Sequence, residues 1–116
     1  NLISQHSTSD AHELIEIEFN GYPWELAEEL LDHSPLAHAH KISAPLLLLH
    51  SELDYRVPIS EAEQLFAFLR RQKKVVELVR YPREGHELTR SGEPDHRADH
   101  MRRTIAWLDR YCKAGL

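Results

Sequence analysis

The amino-acid sequence predicts an α/β fold in which parallel strands are flanked by helices and the sheet is incomplete. The apolar run at residues 45–50 lacks polar alternation, and the run at residues 75–81 is rich in β-branched side chains. Each run is followed by a segment whose apolar residues recur at helical spacing. This order gives parallel strands covered by helices. Because two buried strands need further neighbours, we expect a fragment of a larger domain.

Composition excludes several classes of protein. The 116 residues are 41% apolar and 28% charged, which excludes collagen-like and low-complexity chains. The sequence has no apolar run near the roughly 20 residues of a membrane-spanning helix, and a net charge of −5 argues against nucleic-acid binding. The single Cys112 excludes an intrachain disulfide and predicts a reducing, cytoplasmic location. Because the chain begins with Asn1, we expect it to be processed or part of a longer protein.

The first third of the chain is acidic and predicts only short elements. Residues 1–40 contain no lysine or arginine. Residues 14–19 fit either a short acidic helix or an extended segment, which Gly21 ends. Residues 24–31 predict a short helix with Pro23 at its first position, where the missing N–H costs nothing.

The rest of the chain predicts the two strands and their covering helices. The first strand leads through a polar turn to a helix that begins at Ser60, with Glu63 in a capping box. The second strand is followed by a long loop and a last helix over residues 95–113. One face of this last helix is apolar, and we expect its Cys112 to pack in the core.

Asp54 and His86 are the first candidates for chemistry. Asp54 follows the first strand, and His86 lies in the loop after the second. The carboxyl ends of adjacent parallel strands share one edge of a sheet, where catalytic groups gather. A carboxylate there can hold a histidine in one tautomer and stabilise its charged form. The alternative is that Asp54 caps a turn and His86 is an ordinary loop residue.

Four segments carry a resemblance to a known family, at residues 50–58, 84–86, 90–97 and 22–25 with 34–36. Together they resemble the prolyl oligopeptidase family of serine peptidases, and most closely its acylaminoacyl-peptidase branch. Residues 50–58 resemble the segment around the catalytic aspartate, and residues 84–86 resemble the segment around the catalytic histidine. Residues 90–97 are similar to the stretch after that histidine, and residues 22–25 with 34–36 are similar to the segment before the aspartate strand. The resemblance implies that residues 1–116 form the C-terminal part of an α/β-hydrolase catalytic domain.

The resemblance also implies roles for individual residues. Asp54 matches the aspartate of the catalytic triad, and His86 matches its histidine. Arg56 matches an arginine that binds a backbone carbonyl of the peptide substrate in some relatives; the alternative is an ion pair with a nearby acid such as Glu52. The sequence departs from the family at Ser51, where glycine is usual.

The sequence contains no serine of the kind that such a hydrolase needs. That serine lies in a Gly-x-Ser-x-Gly turn, and none of the four glycines, at positions 21, 85, 92 and 115, are four residues apart. In the family, the nucleophile, the oxyanion hole and the β-propeller all lie upstream. We therefore predict a portion of a serine peptidase that hydrolyses short peptides as the full-length protein and is inactive alone.

The resemblance to a serine peptidase implies no cofactor. Two other functions remain open from the sequence. One is a truncated interaction module that associates with itself, and the other is a fragment of an α/β-hydrolase esterase. The histidines at spacings i, i+2 and i, i+4, His38 with His40 and His96 with His100, are expected to be solvated, so we predict no metal site. We predict no nucleic-acid or membrane partner, and we expect a homo-oligomer, with exchange of elements between two copies as one possibility.

Overall fold

The structure is a computed structural model that describes residues 1–113. It contains seven α-helices, one 3₁₀ turn and two strands among these residues. In chain order they are α1 (Leu2–Thr8), α2 (Glu13–Phe19), α3 (Ala27–Asp32), α4 (Pro35–His38), the 3₁₀ turn (Ala39–Lys41), β1 (Leu46–Ser51), α5 (Ser60–Arg71), β2 (Val76–Tyr81), α6 (Leu88–Ser91) and α7 (Pro94–Tyr111).

The two strands form a parallel sheet, as the sequence predicts. Leu46 lies opposite Val76, and the register continues to Ser51 opposite Tyr81. No third strand is present in residues 1–113, so one edge of each strand lacks a partner there. The side chains of β1 are mostly half-buried rather than buried, because the neighbours that would cover them are not among these residues.

Helices lie on both faces of the sheet. Successive side chains of a strand point to opposite faces. On one face, Leu69 of α5 packs against Val76 and Ala39, and Leu48 adds to this small core. On the other face, Leu47 borders a cleft that is also lined by Trp107 of α7. The predicted architecture of parallel strands with flanking helices is therefore confirmed.

The apolar face of α7 is exposed, which contradicts the expectation for Cys112. Met101, Ile105 and Leu108 are each about half exposed or more, and Cys112 is exposed as well. The helix turns Arg103 and Trp107 toward the sheet instead. No element within residues 1–113 covers the apolar face of α7, which lies on the side of the helix away from the sheet. The prediction that Cys112 packs in a core is therefore wrong within the described residues.

The first third differs from the sequence prediction in its boundaries. The short helix α1 was not predicted. Residues 14–19 form the short acidic helix α2 rather than an extended segment, and α2 ends at Phe19 with the left-handed Asn20, φ 53°, as its cap, just before Gly21. The next helix begins at Ala27 rather than at residue 24, because the preceding residues form a turn in which the rings of Tyr22 and Trp24 stack.

The start of α5 is placed correctly, but its capping is not. The helix begins at Ser60, and the residue before it, Ile59, makes no side-chain capping hydrogen bond. Glu63 accepts a hydrogen bond from Arg80 Nη1 at 2.9 Å instead. The predicted capping box is therefore absent, since a partner on β2 takes the Glu63 carboxylate.

Candidate active site

The loop after β1 is held against the end of β2 by backbone hydrogen bonds. The Glu52 amide donates to the Tyr81 carbonyl at 2.9 Å, and the Leu53 amide donates to the Glu84 carbonyl at 2.9 Å. Asp54 follows directly and is buried, with 7% of its surface exposed. The strand pairing therefore brings the two loops to one edge of the sheet.

The structure brings Asp54 and His86 into direct contact. His86 Nδ1 lies 2.8 Å from Asp54 Oδ2. An ionised carboxylate only accepts hydrogen bonds, so Nδ1 carries the proton and Nε2 is left with its lone pair. The imidazole is 48% exposed, which leaves Nε2 open to a reacting group. A neutral imidazole held in this way can act as a general base.

The second oxygen of Asp54 is held by its own loop. Oδ1 accepts hydrogen bonds from the Arg56 amide at 3.0 Å and the Val57 amide at 2.8 Å. This Asx turn keeps the carboxylate in one orientation. Oδ2 is therefore aimed at His86 before any substrate arrives.

His50 closes the same loop, and sequence reasoning assigned it no role. Its Nε2 donates a hydrogen bond to the Val57 carbonyl at 2.7 Å and lies 3.7 Å from Asp54 Oδ2. The signal in the sequence was its i, i+4 spacing from Asp54. That spacing carries little information until the turn between the two residues is known.

Arg56 lies beside the pair but faces the N-terminal segment. Its Nε donates to Asp10 Oδ1 at 2.7 Å, and that carboxylate raises the pKa of the guanidinium above its ordinary value. Glu52, the partner suggested from the sequence, accepts from Arg80 instead at 3.2 Å. The ion pair that the sequence offers as the alternative role of Arg56 is present, but its acid is Asp10 rather than Glu52, because α1 and the following turn place Asp10 nearer.

Asp54 and His86 border a cavity of about 280 Å³ whose walls also include His50, Val57 and Leu88. Within residues 1–113, no serine or threonine hydroxyl hydrogen-bonds to His86. The described part of the chain thus presents a histidine–carboxylate pair whose histidine has no hydroxyl partner.

A second cluster of titratable groups lies next to this loop. Ligand atoms of Glu84, Glu93 and His96 all lie within 4.8 Å of one another and could in principle hold a cation. His96, which the sequence predicts to be solvated, is instead only 18% exposed and lies beside two carboxylates. Glu93 also pairs with Arg83 at 3.0 Å, and Glu84 accepts from a backbone amide, so these contacts account for the cluster as an ion-pair network.

Tyr81 and Asp99 fasten α7 to the end of β2. The Tyr81 hydroxyl donates to Asp99 Oδ2 at 2.9 Å, and burial together with this bond raises the pKa of Tyr81 to about 12. Hydrogen bonds from Arg103, Tyr81 and Arg102 lower the pKa of Asp99 to about 2. This contact fixes the helix that follows the His86 loop.

Almost the whole chain is similar to members of a known protein family. The model of the prolyl oligopeptidase family matches residues 1–115. An uncharacterized peptidase of Bacillus subtilis (strain 168), YuxL, is 38% identical over 112 residues, which cover 96% of this chain and 17% of that protein. The acylamino-acid-releasing enzyme of Mus musculus is 28% identical over 116 residues, covering 93% of this chain and 15% of that enzyme.

The chain is also similar in structure to solved acylaminoacyl peptidases. Pyrococcus horikoshii acylaminoacyl peptidase superposes with a TM-score of 0.87 and 26% identity, over 95% of this chain and 18% of that one. An acylaminoacyl peptidase solved with Z-Gly-Gly-Phe-chloromethyl ketone superposes equally well, with a TM-score of 0.87. The chain spans less than a fifth of the length of each of these relatives.

Proposed function

Because this chain belongs to the prolyl oligopeptidase family, we propose that it supplies the general base and the orienting carboxylate of a serine peptidase. The observation that carries the proposal is the 2.8 Å contact between His86 Nδ1 and Asp54 Oδ2. It is supported by the burial of Asp54 and by the half exposure of His86, which give one group a fixed position and the other access to a substrate.

The proposed chemistry follows from the state of these two side chains. A serine hydroxyl attacks the peptide carbonyl, and His86 Nε2 takes the proton of that hydroxyl. The imidazolium that forms is stabilised by Asp54, and the same proton then passes to the leaving amine. A water molecule then attacks the acyl-enzyme ester, and His86 Nε2 takes its proton. That proton passes to the serine oxygen as the bond to the acyl group breaks and the acid is released.

In this proposal the serine is supplied from outside the 116 residues. The sequence has no Gly-x-Ser-x-Gly turn, and hydrolases of this class carry their nucleophile on one. Loss of one triad member removes most of the catalytic acceleration. We therefore propose that the complete protein hydrolyses short peptides and that the isolated chain does not.

Arg56 is proposed as a contact for the peptide backbone. Among the guanidinium nitrogens, Nε alone donates a hydrogen bond within the described residues, to Asp10. The two terminal nitrogens of the guanidinium are thus available to a carbonyl oxygen while the ion pair persists. Asp10 would then act by holding the guanidinium beside the Asp54 loop.

A self-associating role is the second candidate, and one observation favours it. Exposed apolar faces and unpaired strand edges favour association between copies of a chain, and the described residues have both, on α7 and along the sheet. Such a module would not depend on His86.

The cytoplasmic location remains a prediction from the single cysteine.

The test replaces His86 with Ala in the complete protein. We expect turnover of a chromogenic peptide to fall by about 10³-fold or more, with the unfolding midpoint nearly unchanged. His40→Ala, at an exposed histidine far along the chain from the site, is the matched control and should keep full turnover. Unchanged turnover in His86→Ala would eliminate the peptidase proposal and the esterase alternative together.

The isolated chain gives a second test that needs no substrate. Incubation with a fluorophosphonate probe should leave its intact mass unchanged, because no serine here is activated by His86. A single stoichiometric adduct would show that one of the serines within the 116 residues is the nucleophile, which would overturn the proposal that it comes from elsewhere.

A further inference from the structure

Glu84 is a buried carboxylate that the proposed chemistry does not use. It lies two residues before His86 in the loop after β2, and 4% of its surface is exposed. Burying a carboxylate costs free energy unless hydrogen bonds and opposite charges compensate for the lost water. Its partners therefore show what the residue is for.

The Glu84 side chain ties the His86 loop to α7. Both carboxylate oxygens lie 3.2 Å from the amide of Glu93, the residue directly before the helix, which donates to them. His96 Nδ1, in the first turn, is 3.5 Å from Glu84 Oε1. The N-terminal end of an 18-residue helix also favours a negative charge at this position.

The backbone of Glu84 ties the same loop to Asp54. Its carbonyl accepts the hydrogen bond from the Leu53 amide, one residue before Asp54. One residue therefore joins three parts of the site: the Asp54 loop through its main chain, α7 through its side chain, and His86 through the chain itself.

The loop needs such a restraint. Arg83, directly before Glu84, has a φ of 65°, in the left-handed region that a non-glycine residue disfavours. The His86 imidazole makes one hydrogen bond within the described residues, to Asp54. Without a fixed backbone, the half-exposed ring would have little else to hold it in place.

Gly92 shows that the carboxylate is packed into its position. A Cβ atom at Gly92 would overlap Glu84 Oε2 and come within 2.5 Å of the Leu88 carbonyl oxygen. The backbone of the α6–α7 connection thus closes over the Glu84 side chain, which leaves the carboxylate little freedom to move.

From these contacts we propose that Glu84 is a positioning residue that holds His86 in register with Asp54. The inference rests on the proposed function, because its effect on rate passes through His86 as the base. Displacement of a catalytic group by about 1 Å can lower the rate on the order of 100-fold. Glu84 thus sets kcat without touching the substrate.

The test uses Glu84→Ala and Glu84→Gln in the complete protein. Glu84→Ala removes both acceptors and should lower kcat by about 100-fold with KM nearly unchanged. Glu84→Gln keeps the length and one acceptor oxygen but loses the charge, so it should lose only about fivefold to tenfold. Glu87→Gln, in the same loop with a carboxylate that is 59% exposed, is the matched control and should behave as the wild type.

A second readout does not depend on turnover. The proton on His86 Nδ1, bonded to Asp54, should give a downfield-shifted NMR resonance that is protected from exchange in the wild type. We expect that resonance to be lost in Glu84→Ala and retained, but weakened, in Glu84→Gln. Failure of the peptidase proposal would leave this prediction intact, so the two can fail separately.

A merely structural Glu84 predicts a different outcome. Glu84→Ala would then unfold more easily while keeping kcat within twofold of the wild type and an unchanged His86 resonance, and this result would overturn the inference. If Glu84→Ala does not fold, Glu84→Gln decides: kcat within twofold of the wild type, with the resonance unchanged, has the same consequence.

Discussion

Asp54 Oδ2 is the atom on which the proposed chemistry depends at the scale of a single residue. Its partner oxygen is occupied by the amides of Arg56 and Val57, so the carboxylate cannot rotate freely. That arrangement holds Oδ2 for the imidazole of His86. The geometry is built by the loop before any substrate binds, which is the condition for an effective orienting group.

Asp54→Asn in the complete protein should lower kcat by about 10⁴-fold. The amide oxygen of asparagine can replace Oδ1 as the acceptor of the two loop amides. Its NH₂ group then faces His86 Nδ1 and favours the tautomer whose proton is on Nε2, which cannot act as a base. The measurement is peptide turnover together with a thermal unfolding curve.

Asp32→Asn provides the control for this substitution, since Asp32 is an exposed residue at the end of α3. It should retain wild-type turnover. If Asp54→Asn retained more than a tenth of wild-type kcat while remaining folded, Asp54 would not be the residue that orients the base.

At the scale of elements, α7 is the support on which the site loop rests. It meets the loop through the Glu84 carboxylate at its start and meets β2 through the Tyr81–Asp99 hydrogen bond one to two turns later. Its apolar face points away from both contacts. The helix therefore contacts the site loop and β2 while its apolar face stays exposed within the described residues.

The Tyr81–Asp99 contact predicts a pH dependence of stability with two limits. The pKa of Asp99 is lowered from 3.8 to about 2. The stabilisation of the fold by ionised Asp99 is therefore fully present above pH 3.8 and is lost as the pH falls through 2. The pKa of Tyr81 is raised from 10.0 to about 12. The stabilisation of the fold by protonated Tyr81 is therefore fully present below pH 10 and is lost as the pH rises through 12.

Asp99→Asn isolates the acid limit. In urea unfolding of the complete protein, the difference in free energy of unfolding from the wild type should be largest at pH 7 and shrink as the pH falls from about 5 toward 2. Asp109→Asn, on the same helix in an exposed pair with Lys113, should differ from the wild type by less than about 0.5 kcal/mol throughout. A pH-independent difference for Asp99→Asn would contradict the assignment of its low pKa.

At the scale of the whole molecule, the described residues form an open structure. A two-stranded sheet has unpaired edges, and the helix over one face exposes Met101, Ile105 and Leu108. No helix in the described part of the chain is long and apolar enough to cross a bilayer. The high structural similarity to acylaminoacyl peptidase over less than a fifth of its length is consistent with this openness.

We predict that the isolated 116-residue chain associates with itself through the α7 face. Ile105→Glu should shift the mass measured by light scattering toward the monomer, because it places a charge in the middle of the apolar surface. Arg97→Glu introduces the same residue at an exposed polar site of the helix and should leave the mass unchanged. A wild-type chain that is monomeric at high concentration would contradict the prediction.

The parallel strand–helix order and the placement of Asp54 and His86 at one edge of the sheet were predictable from the sequence, whereas their direct contact was one of two alternatives until the structure showed it. The strand–helix order and this placement follow from local patterns. An unbroken apolar run indicates a buried strand, helical spacing of apolar residues indicates a helix, and the carboxyl ends of adjacent parallel strands lie at the same edge of a sheet. The four segments that resembled the prolyl oligopeptidase family were sufficient for an assignment that the family match over residues 1–115 confirms.

The residues that support this pair are known only from the way distant segments pack together. The burial of Glu84, the ion pair between Arg56 and Asp10 and the exposure of Cys112 all depend on segments that are distant in sequence and meet in space. The sequence around Glu84 indicates only a polar residue in a loop. Glu84 is buried because the start of α7 packs over it. Contacts of this kind are set by packing between elements, and no local pattern encodes them.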